Sequence, residues 1–207
     1  AAVVLTGNTV IDALLQTLRE EYRFQDRRLA ELDPGRRLVL VTVHRRESFG
    51  APLESVCEAV SRLAGDFPAV EFVLPVHPNP AVREAVKNGL GGLSNVRLIE
   101  PVGYVEFVHL MRRSHLVLTD SGGIQEEAPS LGKPVLVLRE VTERPEGVEA
   151  GTAALVGTDR DEIVSRTRHL LDDATAYQRM ARAVNPYGDG TAAAKIADAL
   201  AEWFSAR

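Results

Sequence analysis

Cysteine is almost absent: Cys57 is the only one in 207 residues. A lone thiol excludes an internal disulfide framework and a cysteine-rich zinc site. It fits a reducing compartment, so a cytoplasmic protein is expected. Long hydrophobic runs are missing as well. None approaches the ~18 apolar residues of a membrane span, so no membrane partner is expected. Positive charge is in deficit, with 24 Lys and Arg against 29 Asp and Glu, a net charge of −5. That balance argues against sequence-independent nucleic-acid binding, which needs a basic field. No G-x-G-x-x-G follows a first strand and no G-x-x-x-x-G-K-[ST] exists, so neither the NAD fingerprint nor the P-loop is present. No His, Asp or Glu spacing suggests a metal site, and no metal or cofactor is expected. The chain opens Ala1-Ala2-Val3-Val4-Leu5 with no initiator methionine and no secretory signal. It reads as though entered in mid-protein.

What is present is ordinary globular composition, 45% hydrophobic and 26% charged. Val3 to Leu5 reads as the end of a strand or a linker. Thr9 and Asp12 form a weak capping box for a helix over 10–28, kinked or frayed near Tyr22. Asp33-Pro34-Gly35 is a turn. Short apolar runs then alternate with helical patterns. Strands are expected at 38–43, 70–76, 96–99, 116–119, 135–138 and 153–156. Helices are expected at 51–65, 80–88, 104–113, 122–131, 159–171, 175–184 and 191–204. Cys57 falls on the apolar stripe of the first of these and reads as core. The alternation predicts an α/β fold with a doubly wound parallel sheet. The expected domains are an interdomain segment and helix at 1–30, a Rossmann-like domain at 31–184, and a C-terminal helix at 185–207.

Such sheets bind ligands beyond the carboxyl ends of their strands. Asp120-Ser121-Gly122-Gly123 sits at one of these turns. Free N–H groups at the helix start, a hydroxyl and two glycines suit a phosphate. A helix cap made by Asp120 or Ser121 is the plainer alternative. Glu127 lies one turn further in, about 6 Å along the axis from Gly123, where a carboxylate can accept from a ribose diol. Glu126 is expected to face solvent or to form an ion pair. His44-Arg45-Arg46-Glu47 follows the first strand of the sheet and can neutralise a pyrophosphate, with His44 able to protonate a departing oxygen. A surface cluster paired with Glu47 is the alternative. His77 lies at the same edge, as a ligand or as a turn residue. Tyr104, or a neighbour after Pro101, could flank a flat base or join the core. His109, His115 and His169 are expected bystanders. The polar stretch 139–151 reads as a loop, its first part a binding loop or a hinge.

The ordered set His44-Arg45-Arg46-Glu47-Ser48-Phe49-Gly50, Pro75-Val76-His77-Pro78-Asn79-Pro80, Asp120 to Glu127, Thr142 to Glu146, and Asn185-Pro186-Tyr187-Gly188-Asp189-Gly190 closely resembles the non-hydrolysing bacterial UDP-N-acetylglucosamine 2-epimerases. The resemblance implies one of the two Rossmann-like domains of a glycosyltransferase-B (GT-B) fold, with the N-terminal domain absent. It implies an isomerase that interconverts UDP-GlcNAc and UDP-ManNAc through 2-acetamidoglucal, serving cell-envelope polysaccharide. It implies that Ser121 and Gly122 hold the diphosphate, that Gly123 shapes the turn and that Glu127 holds the ribose. His44 would stand by the departing phosphate as the catalytic residue on this chain. Arg45 and His77 would contact phosphate or a regulatory UDP-GlcNAc. A homodimer is implied, and the piece alone is expected to be inactive. The competing expectations are the donor half of a UDP-sugar glycosyltransferase, a hydrolysing 2-epimerase, and a non-catalytic nucleotide-sugar-binding domain.

Overall fold

The computed structural model describes residues 3–205. Residues 1, 2, 206 and 207, the outer ends of the expected 1–30 and 185–207 segments, lie outside the described residues. Six strands form one sheet: β1 (Arg37–Thr42), β2 (Val70–Pro75), β3 (Val96–Ile99), β4 (Leu116–Thr119), β5 (Val135–Val137) and β6 (Ala153–Leu155). Their order is β3-β2-β1-β4-β5-β6, and every pair is parallel. The α-helices of the described residues are α1 (Thr9–Thr17) and α2 (Arg27–Ala30) before the sheet, α3 (Ala51–Asp66), α4 (Pro80–Leu90), α5 (Tyr104–Arg113), α6 (Gly122–Ser130) and α7 (Pro145–Glu149) between strands, and α8 (Arg160–Asp172), α9 (Ala174–Ala181) and α10 (Ala192–Ser205) after it. None of the described helices is long and apolar enough to cross a membrane.

The unbroken apolar run of β1 is explained by its position. Both faces are covered, so there is no polar alternation to read. Val39 and Val41 enter the core shared with α3, α4 and α8. Leu38 and Leu40 enter the opposite core, shared with α1, α5 and α6. From β1 the chain winds outward to β2 and β3, then returns to lay β4 on the other side of β1. The connections after β1 and β4 therefore diverge, and a crevice opens between their carboxyl ends.

The first helix is shorter than expected. It stops at Thr17, and Leu18 is extended. Beyond it, tertiary acceptors take the backbone N–H groups that a helix would have used. Arg19 N donates to His109 Nε2 at 3.1 Å, and Gln25 N and Asp26 N donate to the Glu106 carboxylate. Tyr22 stacks on the His109 ring at 3.9 Å. The expected capping box is also replaced. Asn8 caps α1 by accepting from Val10 N. Asp12 is buried and accepts from Ala192 N and Ala193 N, so it caps α10 instead. The first and last long helices of the chain are thereby tied together. In the polar 139–151 stretch, the short helix α7 starts at a proline, which suits a first turn.

Cys57 is buried against α4, and its thiol is pushed up to about 11, chiefly by burial. A buried, neutral thiol is unreactive. Iodoacetamide at pH 8 is expected to leave the folded protein unmodified and to alkylate it rapidly in urea, with mass spectrometry as the readout.

Candidate phosphate-binding crevice

Asp120 organises the crevice. Thr42 and Thr119 are in register at the ends of β1 and β4, with hydroxyls 2.6 Å apart. Asp120, the next residue, is 0% exposed. It does not cap α6. Its carboxylate turns to the loop after β1, accepting from His44 N at 3.0 Å, Arg45 N at 2.9 Å and the Ser48 hydroxyl at 2.9 Å. His44 Nδ1 lies 2.7 Å from its other oxygen. Burial alone would push Asp120 up, but the bonds from His44 and from the backbone outweigh it and hold the carboxyl below its ordinary value. A buried charge is tolerable only with such partners. The bond to Asp120 in turn raises His44, against partial burial and the nearby Arg45 charge. With Nδ1 engaged by Asp120, Nε2 is the nitrogen left for a ligand.

The start of α6 is open. Ser121 is the cap residue by backbone conformation, yet no side chain accepts from the first turn. Its own N–H is held by Thr119 Oγ1 at 3.0 Å. The leading N–H groups of a helix have no intrahelical acceptor and carry its positive end. Gly122 and Gly123 do not have positive φ. A Cβ at Gly122 would meet nothing closer than Arg45 Nη2 at 3.8 Å, and one at Gly123 nothing closer than Ser121 Oγ at 3.9 Å. Glycine was expected at 123 to shape the turn, and the observed φ gives no such reason for it. The backbone does not require glycine at either position, and both leave the helix start bare.

The three polar residues that follow are all buried. Gln125 Nε2 donates to Ser121 O, and its Oε1 accepts from the Thr142 hydroxyl. Glu126 does not face solvent. It pairs with Arg144 Nε and accepts from Asn8 Nδ2. Glu127 is 6% exposed and accepts from the Tyr104 hydroxyl at 2.6 Å. Burial raises Glu127, while the Tyr104 bond acts the other way. Tyr104 is half-exposed and so is not a core residue.

Arg45 pairs with Glu143 at 3.3 Å and with Glu47 at 3.4 Å, while Arg46 is exposed. His77 Nδ1 accepts from Asn79 N at 3.2 Å, a turn contact, and its ring tilts against Phe49. His44, His77, Val102, Phe107, Ser121 and Ile124 line a cleft of about 380 Å³. His109 is a bystander, bonded by Val105 O and Arg19 N. His115 is stacked on Tyr177 and lowered to about 4 by burial. The crevice thus offers a helix start and a raised histidine for an anion, an apolar wall and a buried carboxylate.

The residues that hold this arrangement were given no role from sequence. Asn185 donates to Glu126 O and to the Ser130 hydroxyl. The Tyr187 hydroxyl accepts from Gly147 N and donates to Arg144 O. The Asn-Pro-Tyr-Gly cluster was visible as a motif, but only the fold reveals that it clasps α6 and the 142–147 loop.

A family model described as UDP-N-acetylglucosamine 2-epimerase matches residues 1–201. The UDP-N-acetylglucosamine 2-epimerase of Escherichia coli K12 is 53% identical over 205 residues, covering 96% of this chain and 54% of its own length. A UDP co-structure from S. aureus superposes with a TM-score of 0.90 at 44% identity, over 98% of this chain and 55% of that one. The UDP-GlcNAc 2-epimerase from Neisseria meningitidis bound to UDP-GlcNAc gives a TM-score of 0.86 at 42% identity, over 96% of this chain and 55% of that one. The chain spans about half the length of the curated relatives it matches.

Proposed function

The chain belongs to the UDP-N-acetylglucosamine 2-epimerase family, and from that membership and the crevice we propose that it is the UDP-binding half of an enzyme interconverting UDP-GlcNAc and UDP-ManNAc. Its sheet is one of the two Rossmann-like domains of a GT-B arrangement. A proton leaves C2 of the sugar, the C1–O bond breaks with its electron pair passing to the UDP oxygen, and 2-acetamidoglucal remains. Re-addition of UDP with protonation of C2 on the other face gives the epimer. The observation that carries this reading is the uncapped start of α6 beside a charge-stabilised histidine, at the switch point of the sheet.

In this assignment the α6 N–H groups and the Ser121 hydroxyl bind the diphosphate, and Glu127 accepts from the ribose. Protonated His44 stabilises the charge that develops on the departing phosphate, as preorganised donors do in other leaving-group reactions. Arg45 and His77 serve phosphate or a second, regulatory nucleotide sugar. The C2 base belongs to an N-terminal half. The exposed apolar side chains of Leu5, Leu200 and Phe204 are assigned to the contact with that half. We assign the whole enzyme to the cytoplasm as a homodimer supplying ManNAc units for envelope polysaccharide.

Titrating UDP into the 207-residue chain is expected to give weak binding without epimerisation. Ser121→Ala and Glu127→Ala should each weaken it about tenfold, the scale of one charge-assisted hydrogen bond. Equal affinity in the parent and both variants would remove the site.

A further inference from the structure

We propose that Tyr104 is the positioning residue for Glu127, engaging one carboxylate oxygen so that the other stays open to the ribose diol. The inference rests on the UDP reading above and adds to it a residue that this reading does not use. Glu127 lies one turn inside α6, and Tyr104 is the first residue of α5. The two helices enter and leave β4, so their meeting at this point is set by the same strand that places Ser121. The Tyr104 hydroxyl donates to Glu127 Oε1 at 2.6 Å, which leaves Oε2 outside that bond.

Packing does not explain a tyrosine here, because Tyr104 is 45% exposed. The hydroxyl and its buried partner do. Phe107, one turn further along α5, lines the cleft, so the first turn of α5 is part of its wall. Burial and the Glu126 charge both push Glu127 toward the protonated form, and the Tyr104 bond opposes them. An ionised carboxylate only accepts, whereas a protonated one presents a donor that competes with the diol hydroxyls. The phenol, itself raised by burial and by Glu127, remains a donor at neutral pH.

The test compares UDP with 2′,3′-dideoxy-UDP, which lacks both ribose hydroxyls, by calorimetry on the full-length protein. The wild type should prefer UDP about tenfold or more, and Glu127→Gln should lose most of that preference. Tyr104→Phe removes one oxygen from a half-exposed ring. It should cut the preference about threefold or more while leaving affinity for the dideoxy ligand nearly unchanged. If Tyr104→Phe weakens both ligands alike and keeps the preference, the positioning role is overturned and the UDP site stands. If the wild type binds UDP and the dideoxy ligand equally, Glu127 does not read the ribose and the inference falls with it. If the wild type binds neither, the UDP reading itself is overturned.

Discussion

Replacing Gly123 with alanine is expected to move stability and binding in opposite directions. Gly123 sits in the first turn of α6 without positive φ, and a Cβ there meets only open space and the Ser121 hydroxyl at 3.9 Å. Alanine is favoured over glycine within helices by up to about 1 kcal/mol, so the folded state should be as stable or slightly more stable. A bound diphosphate, by contrast, must come within hydrogen-bond distance of the backbone, and the new methyl would stand in that approach. Losing one or two charge-assisted N–H bonds costs about 1.5–3 kcal/mol, which corresponds to a tenfold to hundredfold weakening for UDP. Urea denaturation and UDP titration on the same preparation check both halves. A variant that loses stability and binding together would mean that glycine is there for the fold.

The second large effect is expected at Asp120. In Asp120→Asn the N–H groups of His44 and Arg45, the Ser48 hydroxyl and the His44 ring lose their shared carboxylate. Weakening hydrogen bonds to a buried charged acceptor in this way costs about 1.5–3 kcal/mol. His44 is half-exposed, so most of that loss comes from the backbone and Ser48 partners rather than from the ion pair. The pH dependence has a definite sign. His44 is raised above 6.5 in the folded protein, so its charged form contributes fully below 6.5, and the contribution is lost as pH rises through the folded value. Asp120 is held below 3.8, so its contribution is present above 3.8 and is lost as pH falls through the folded value. Between those limits the pair is intact. The variant should lower the His44 pKa in an NMR titration. Its UDP affinity should match the parent's where His44 is protonated in both and fall below it as pH rises through the His44 titration. A His44 titration that Asp120→Asn leaves unchanged would contradict the pairing.

The strands, and all the helices after Phe49 except α7, could be read from sequence because apolar periodicity is local. The parallel alternation then placed the crevice before any side chain was seen. The first helix was overextended because its apparent continuation past Thr17 depends on acceptors far away in sequence, His109 and Glu106. Asp12, read as the partner of Thr9 in a capping box, and Asp120, one of two candidates for capping α6, show the same limit. Each serves a segment distant in the chain, the start of α10 and the loop after β1. Glu127 stood out through helical spacing. Its partner Tyr104 lies 23 residues earlier on another helix, and no periodicity links the two.

The account turns on where a pyrophosphate meets this chain. Amide NMR spectra recorded during UDP addition test that directly. The account predicts the largest shifts at the N–H groups of Gly122 and Gly123, with accompanying shifts at His44 and Tyr104. Shifts centred elsewhere, with the first turn of α6 unmoved at saturating UDP, would contradict it.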